Sequence, residues 1–199
     1  MTLPRIVLAS TSPFRAELLG RLQVPFEQAA PEVDETRLPD EAPREMVMRL
    51  AEAKARAIAT GLEHGLVIGS DQCAVIGGEI LGKPGSFERA FEQLRASSGR
   101  SVTFETGLCV VDAESGRAEV DCVSFEVGFR ELDDARIRNY LEREQPWNCA
   151  GSFKSEGLGI TLFRYLRGDD PTALIGLPLI RLVDMLEAFG LRLPLPTDA

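Results

Sequence analysis

The most informative stretch of the sequence is Leu66-Val67-Ile68-Gly69-Ser70-Asp71-Gln72, with Gly82-Lys83-Pro84 following shortly after it. Its first three residues form a short apolar run of the kind that makes a buried strand. The polar residues that follow predict that this strand gives way to a loop carrying Asp71 and Gln72. Because ligands bind at the carboxyl ends of strands in open α/β sheets, this loop is a candidate site.

Lys83 stands between a glycine and a proline, so the sequence predicts a cation on a constrained loop. A carboxylate at Asp71 and a cation at Lys83 suit a polyanionic substrate that binds together with a metal ion. The same residues also fit a simpler interpretation, in which Asp71 opens a turn and Lys83 is solvated, since carboxylates are common in loops. The local sequence leaves both interpretations open.

Composition limits the class of protein. The chain has 199 residues, of which 44% are hydrophobic and 27% charged, and we expect residues 1–199 to form one domain of two lobes. The net charge of −9 argues against binding to nucleic acid or to an anionic membrane, because both require a basic face. It still allows a small anion in a local pocket of lysine and arginine. No apolar run approaches the length of a membrane span.

The cysteines are widely spaced, without a C-x-x-C pair, and the chain has a single histidine. This pattern predicts reduced thiols in a cytoplasmic protein rather than a zinc site or a disulfide framework. His64 falls in a predicted turn beside Gly65. Nucleophilic catalysis by a Ser–His or Cys–His pair is therefore not expected.

Near the N-terminus, a predicted strand over 5–9 leads through Ser10-Thr11-Ser12-Pro13 into an amphipathic helix. Ser12 is a natural N-cap, and proline suits the first helical position. Such a helix start offers unpaired N–H groups and a positive dipole end to a phosphate. Arg15, one turn into the helix, would add a bidentate contact. A plain capped helix without a ligand is the alternative for these residues.

An acidic loop at 31–35 follows a second predicted strand at 25–29. Mg²⁺ typically takes one or two carboxylates together with phosphate oxygens, so this loop is either a metal-binding loop or a solvated turn. Pro43 then begins a long helix that Gly61 ends. Lys54 lies among the small and apolar positions of this helix, from which it either snorkels to water or reaches a shared cleft.

The rest of the chain predicts more strands and helices around these motifs. We expect a hairpin of 73–76 and 79–81, a helix over 86–97, long strands at 101–112 and 117–130, a helix over 135–143, a strand at 160–166 and a helix over 177–189. The glycine-containing segment 147–159 suggests a loop shaped for a ligand, or equally a flexible connector. The tail from Leu193 is expected to be frayed.

Together these motifs closely resemble the Maf family of nucleoside triphosphate pyrophosphatases, and the resemblance covers almost the whole chain. It rests on the order and spacing of the stretches 8–15, 68–72, 82–84, 150–152 and 176–178. The resemblance implies an α/β fold of the Maf and ITPase type, with a mixed twisted sheet, flanking helices and two lobes around a central cleft. It also implies a small-molecule nucleoside triphosphate as substrate, a divalent cation (Mg²⁺ or Mn²⁺), release of pyrophosphate, and homodimers.

Residue by residue, the family pattern falls on Ser12, Arg15, Glu35, Lys54, Asp71 and Lys83. The resemblance implies that Asp71 is the general base, or orients through the metal ion a water that attacks between the α- and β-phosphates. It implies that Glu35 and Asp71 hold the metal ion. The remaining residues of the pattern would bind the substrate and neutralise its phosphates.

Within the family, the sequence looks most like the branch that acts on 7-methyl-GTP. The branch that prefers TTP and UTP tends to carry Arg, Thr and Gln where this chain has Phe14, Gln72 and Glu156. A carboxylate such as Glu156 can accept from the N1–H and 2-amino groups of guanine together. Methylation at N7 makes the ring cationic, which favours an aromatic face such as Phe14, with Trp147 or Phe153 as other candidates.

Two other functions stay open on the sequence alone. The first is a TTP/UTP pyrophosphatase of the same family. The second is a non-catalytic regulator that binds a nucleotide, for instance in the control of cell division. The combination of Asp71 and Glu35 with several cations argues against the regulator, because a pure sensor needs no general base.

Overall fold

The computed structural model describes residues 3–196. Within this part of the chain, seven strands form one sheet: β1 (Ile6–Leu8), β2 (Glu27–Gln28), β3 (Leu66–Ile76), β4 (Glu79–Leu81), β5 (Ser101–Asp112), β6 (Ala118–Phe129) and β7 (Phe163–Arg167). The α-helices there are α1 (Pro13–Gly20), α2 (Pro43–Ala59), α3 (Phe87–Ser97), α4 (Asp134–Glu144) and α5 (Leu179–Ala188), with short 3₁₀ turns at Ala150–Ser152, Leu158–Leu162 and Pro171–Ile175. None of these described helices combines the length and the apolar character needed to cross a bilayer.

The sheet is mixed, with the strand order β2-β1-β3-β5-β6-β7, and β4 pairs with the C-terminal end of β3. The strands β2, β1 and β3 are parallel, whereas β3, β5, β6 and β7 alternate in direction. Helices cover both faces of the sheet. The α/β fold expected from the sequence, with a mixed sheet and flanking helices, is thereby confirmed.

β3 is the strand that creates the cleft. One of its edges pairs with β5 along residues 66–75, but its other edge is shared between two short strands. β1 pairs with it as far as Ile68, and β4 pairs with it from Ala74 onward. Among the described residues, positions 69–73 have no strand partner on that edge, so an open gap separates the two halves of the sheet.

The prediction that the strand ends before Gly69 is wrong. Asp71 and Gln72 lie in the middle of β3, where they pair with Gly107 and Thr106 of β5. The polar residues stay in the strand because the long antiparallel partner supplies their backbone hydrogen bonds. They are nevertheless open to a ligand, since the other edge of the strand is unpaired at this point.

Glycines in the sheet allow α2 to lie unusually close to one face. A Cβ atom at Gly69 would overlap the carbonyl oxygen of Ala51, and one at Gly107 would overlap that of Val47. Since Gly107 pairs directly with Asp71, the helix lies closest to the sheet beside this carboxylate. This packing is what carries Lys54 of α2 to the floor of the cleft.

The opposite face of the sheet carries two apolar clusters. At the β1 end, residues of the sheet pack with α1 and α5, for example Ile68 with Leu182. At the other end, Phe104 and Phe129 belong to a cluster with α3 and α4 in which aromatic rings meet edge to face. Buried polar residues, Ser70 and Thr106, lie on this face of the sheet between the clusters.

Several predicted boundaries differ from the structure. The last strand is Phe163–Arg167 rather than 160–166, because Leu158–Leu162 forms a 3₁₀ turn. The last helix begins at Leu179, two residues later than expected. Leu193 and Leu195 pack against the cluster at the β1 end, so the prediction of a frayed tail is wrong for these residues. Residues 197–199 lie outside the described part of the chain.

The four cysteines are free thiols, as the sequence predicted, and Cys73, Cys109 and Cys122 are buried. Burial raises the pKa of each of these three thiols to about 12. At neutral pH they are therefore protonated and behave as small apolar residues of the core.

Candidate active site

The open gap on β3 brings together the residues of the family pattern and the specificity candidates Phe14, Gln72 and Glu156, in two adjoining pockets. The first, the carboxylate pocket, is lined among others by Ser12, Phe14, Arg15, Glu35, Lys54, Asp71, Gln72 and Lys83. The second, the aromatic pocket, shares Ser12, Phe14, Arg15, Gln72 and Lys83 with the first and adds Phe104, Phe153, Leu174 and Glu156. The shared residues make the two pockets one continuous cleft.

The start of α1 forms one wall of the cleft. The hydroxyl oxygen of Ser12 accepts from the backbone N–H of Arg15 at 3.4 Å, and Pro13 is the first helical residue. Ser10, which is buried, accepts from the backbone N–H of Ser12 at 3.1 Å. The predicted capped helix is therefore present, and its N-terminal end borders both pockets.

Arg15 is a fixed positive charge in this wall. Its Nε donates to the carbonyl oxygen of Gly176 at 2.9 Å, and its Nη1 donates to the hydroxyl oxygen of Ser10 at 3.5 Å. Burial lowers the pKa of Arg15, and the attraction of Asp71 and Glu35 opposes this effect. Because a guanidinium group is not deprotonated in proteins at neutral pH, Arg15 stays charged despite its burial.

Lys54 bridges the two predicted metal-binding carboxylates. Its Nζ lies 2.6 Å from Oδ1 of Asp71 and 2.7 Å from Oε1 of Glu35. The side chain of Lys54 is 8% exposed and that of Asp71 14%, whereas that of Glu35 is 62% exposed. Of the two orientations considered for Lys54, the structure shows the one directed into the cleft. The ion pair with Lys54 lowers the pKa of Glu35, with smaller contributions from Lys83 and Arg15.

A second ion pair, which sequence reasoning missed, holds the loop that carries Glu35. Arg49 on α2 donates through Nη2 to Oε2 of Glu41 at 2.9 Å and to the carbonyl oxygen of Thr36 at 3.2 Å. The hydrogen bond from Arg49 lowers the pKa of the Glu41 carboxyl to about 2. The residue next to Glu35 is thus tied to the same helix that presents Lys54.

The carboxylates of Glu35 and Asp71 fit a divalent cation that binds together with a substrate. Among residues 3–196, no group of three or more His, Cys, Asp or Glu side chains is placed to hold a metal ion. Glu35 and Asp71 are close enough to contact the same ammonium group. Mg²⁺ is commonly held by one or two carboxylates plus substrate phosphates, which matches this donor set.

Gln72 extends to the opposite face of the sheet from Asp71, because successive strand residues alternate. Its Nε2 donates to the carbonyl oxygens of Ala173 at 2.7 Å and Leu174 at 3.2 Å. It also lies 3.0 Å from the hydroxyl oxygen of Thr106. Asp71 and Gln72 are therefore neighbours in sequence that extend to opposite faces of the sheet; both line the carboxylate pocket, and of the two only Gln72 also lines the aromatic pocket.

The aromatic pocket holds the remaining specificity candidates. Phe14 is half-buried and borders both pockets, and Glu156 is exposed at the rim, where the Ser155 hydroxyl donates to it at 3.2 Å. Phe153 is buried, with its ring centroid 5.3 Å from that of Phe104 in an edge-to-face pair. Trp147 packs edge-on against another ring outside the cleft and is not among the residues that line either pocket.

Two loops that line the cleft are joined by Gln93 of α3. Its Nε2 donates to the carbonyl oxygen of Gly82 at 3.0 Å, beside Lys83, and its Oε1 accepts from the hydroxyl of Ser152. Sequence reasoning missed Gln93, because a polar residue on a helix gives no sign of its partners. It also missed Asn148, which lines both pockets and lies in segment 147–159, for which the sequence left a ligand loop and a flexible connector equally open.

Comparison with known proteins agrees with this geometry. The family model described as Maf-like protein matches residues 5–189. The chain is 58% identical over 187 residues to a protein of Nitrosococcus oceani named 7-methyl-GTP pyrophosphatase, with 94% of each chain covered. It is 55% identical over 192 residues to a protein of the same name from Pseudomonas aeruginosa, with 96% of this chain and 100% of the relative covered.

A solved structure described as the Staphylococcus aureus Ham1 protein superposes with a TM-score of 0.51 and 15% sequence identity, covering 93% of this chain and 97% of the other. At this identity, the similarity shows the fold alone. Both relatives are named as nucleotide pyrophosphatases, which is the class of enzyme that the motifs predicted. The resemblance stated from the motifs is thereby confirmed, and the chain belongs to the Maf family.

Proposed function

We propose that this protein hydrolyses the bond between the α- and β-phosphates of 7-methyl-GTP, releasing 7-methyl-GMP and pyrophosphate. The observation that carries the proposal is the contact of Lys54 with Asp71 and Glu35 at the gap of β3. It places two carboxylates and a cation beside a pocket with aromatic and carboxylate walls. The name shared by the similar bacterial proteins supports the choice of substrate.

The triphosphate would lie across the carboxylate pocket. Ser12 and the N-terminal end of α1 offer hydroxyl and backbone N–H groups to one phosphate. Arg15 and Lys83 line the same space and supply positive charge from two sides. Since Arg15 is held by Gly176, its charge is already in place when the phosphates arrive, which is the condition for electrostatic stabilisation of a transition state.

Asp71 is the proposed proton acceptor. Lys54 contacts Oδ1, which fixes the carboxylate and leaves Oδ2 for the attacking water. The proton of that water passes to the carboxylate as its oxygen bonds to phosphorus and the bond to pyrophosphate breaks. Glu35 and Asp71 would hold Mg²⁺ or Mn²⁺, which when bound supplies neutralisation of the charge that develops on the phosphate oxygens.

The base would occupy the aromatic pocket. Glu156 at its rim can accept from the N1–H and 2-amino groups of guanine together. The negative charge of Glu156 and the face of Phe14 both favour a ring made cationic by methylation at N7. A cytoplasmic location, where reduced thiols persist, is part of the same proposal.

The proposal is tested by pyrophosphate release with Mg²⁺ or Mn²⁺ across 7-methyl-GTP, GTP, UTP, TTP and ATP. We expect release to be fastest from 7-methyl-GTP, and we expect release from every nucleotide to be largely lost in Asp71→Asn. A preference for UTP or TTP would keep the reaction and overturn the assignment to the 7-methyl-GTP branch, which rests on Phe14, Gln72 and Glu156. Binding without release from any nucleotide would instead favour a regulator.

A further inference from the structure

A buried group of polar atoms lies beneath the aromatic pocket, on the face of the sheet opposite to α2. It consists of Gln72 on β3, Thr106 on β5 and the carbonyl oxygens of Ala173 and Leu174. Thr106 is 0% exposed and pairs directly with Gln72 across the two strands. The reaction proposed above gives Thr106 no role.

The hydrogen bonds of this group determine which end of the Gln72 amide faces the protein. The carbonyl oxygens of Ala173 and Leu174 only accept, so the NH₂ end must lie against them, at 2.7 and 3.2 Å. The hydroxyl of Thr106 donates its one proton to the Ala173 carbonyl at 2.9 Å. Towards Gln72 Nε2, 3.0 Å away, this hydroxyl can therefore only accept, and the two protons of Nε2 are shared among the three oxygens. A reversed amide would place its oxygen against two carbonyl oxygens, which is repulsive.

The turn that supplies these carbonyl groups is itself held in place. Asp170 is buried, its Oδ1 accepts from the backbone N–H of Thr172 at 2.9 Å, and its Oδ2 accepts from that of Ile180 at 2.8 Å. The carbonyl oxygen of Gly176, at the end of the turn, accepts from Ser70 at 2.9 Å. The acceptors that face Gln72 are thus anchored on both sides.

The amide oxygen of Gln72 is left for the cleft. Within residues 3–196, the hydrogen bonds of the Gln72 side chain all use Nε2, and the residue lines both pockets. Because the amide of Gln72 cannot flip, its oxygen favours a ligand that presents a hydrogen-bond donor at this position and repels one that presents an acceptor.

We infer that Thr106 is a positioning residue that fixes Gln72 as a hydrogen-bond acceptor, and that this acceptor selects bases with a ring N–H. Guanine, hypoxanthine, uracil and thymine carry such a donor, whereas adenine and cytosine present a lone pair at the equivalent ring position. On guanine this donor is the N1–H, which the amide oxygen of Gln72 would share with Glu156. The inference rests on the proposed function, since it needs a nucleotide in the cleft. It adds the class of base and does not depend on methylation or on the choice between purine and pyrimidine.

The test compares ratios of kcat/KM with Mg²⁺, GTP to ATP and UTP to CTP, so that a general loss of activity cancels. In Thr106→Val, which keeps the shape and removes the hydroxyl, we expect both ratios to fall about tenfold, the value of one hydrogen bond. Thr106→Ser, which keeps the hydroxyl, should restore the ratios. Equal losses for all four nucleotides, or ratios that Thr106→Val leaves unchanged, would overturn the inference.

A second variant separates positioning from packing. Gln72→Met removes the amide and should lower the same ratios, and the double variant with Thr106→Val should lower them no further. A further fall in the double variant would show that Thr106 acts independently of Gln72. If Thr106→Val does not fold by its thermal melting curve, the smaller change Thr106→Ala takes its place.

A binding measurement keeps this inference distinct from the proposed function. The probes are the α,β-methylene analogues of GTP and ATP, which cannot release pyrophosphate, and Kd is measured by calorimetry. If the protein hydrolyses no nucleotide but binds the GTP analogue better, with the preference lost in Thr106→Val, the reaction fails and the inference stands. Equal Kd values for both analogues in the wild-type protein would overturn the inference even if hydrolysis is observed.

Discussion

The Nζ atom of Lys54 lies 2.6 Å from Oδ1 of Asp71, and this contact joins α2 to the centre of the sheet inside the cleft. Both side chains are mostly buried, so each charge depends on the other for compensation. Lys54 also contacts Glu35 on a more exposed loop. One ammonium group therefore sets the relative position of two carboxylates that come from different elements.

The substitution Asp71→Asn tests the proton acceptor. The amide keeps the size of the side chain but accepts a proton poorly, so we expect kcat to fall by about 100-fold or more, with a smaller change in KM. Steady-state pyrophosphate release measures both constants. Asp184→Asn, an exposed carboxylate outside both pockets, is the matched control and should remain close to wild type. Turnover near that of the control would remove Asp71 from this role.

The substitution Glu156→Gln tests recognition of the guanine edge. Glutamine offers one acceptor and one donor group, and the donor would face the guanine amino group, so we expect kcat/KM for 7-methyl-GTP to fall about tenfold. The value for UTP should change far less. The control is Glu142→Gln, a substitution on α4 away from the pocket lining. If Glu156→Gln leaves the preference among nucleotides unaltered, a group other than Glu156 recognises the guanine edge.

The ion pair of Glu41 and Arg49 gives a prediction about pH. The pKa of Glu41 is lowered from 4.5 to about 2, so the ion pair stabilises the fold above the ordinary pKa and this contribution is lost as pH falls toward 2. In Glu41→Gln, the free energy of unfolding should be lower than wild type at pH 7, and the difference should shrink between pH 4.5 and about 2. Urea unfolding at several pH values measures it. Glu63→Gln, at an exposed turn position, should show no such trend.

The close packing of α2 gives a prediction about stability. A methyl group in Gly69→Ala must displace the backbone of α2 at Ala51, so we expect a loss of about 1–3 kcal/mol in the free energy of unfolding. The activity should fall as well, because Lys54 moves with the helix. Gly20→Ala, where the added methyl group meets nothing within 4 Å, is the control. A Gly69→Ala protein as stable as this control would contradict the account of the helix position.

The sequence predicted those features of the site that depend on neighbouring residues. Ser12 caps the helix that contains Arg15, and Lys83 lies on the expected loop, because capping and glycine–proline loops are local properties. The hairpin of β3 and β4 and the long strands β5 and β6 were predictable for the same reason.

What the sequence could not predict depends on distant partners. Asp71 looked like a loop residue because its strand partner, Gly107, is far away in the chain. The orientation of Lys54 follows from how closely α2 approaches the sheet, which the glycines of two different strands decide together. The tie between Arg49 and Glu41 likewise appears only once the loop has folded back onto its helix.

The position of Asp71 and Gln72 as consecutive residues on opposite faces of one strand has a mechanical consequence. Their separation along the strand is a single backbone step of about 3.3 Å, which no loop movement can lengthen. In the proposed function, Asp71 meets the α-phosphate and Gln72 meets the edge of the base. The strand would then fix the spacing between these two contacts, so a nucleotide with a different distance between its α-phosphate and its base edge would make only one of them.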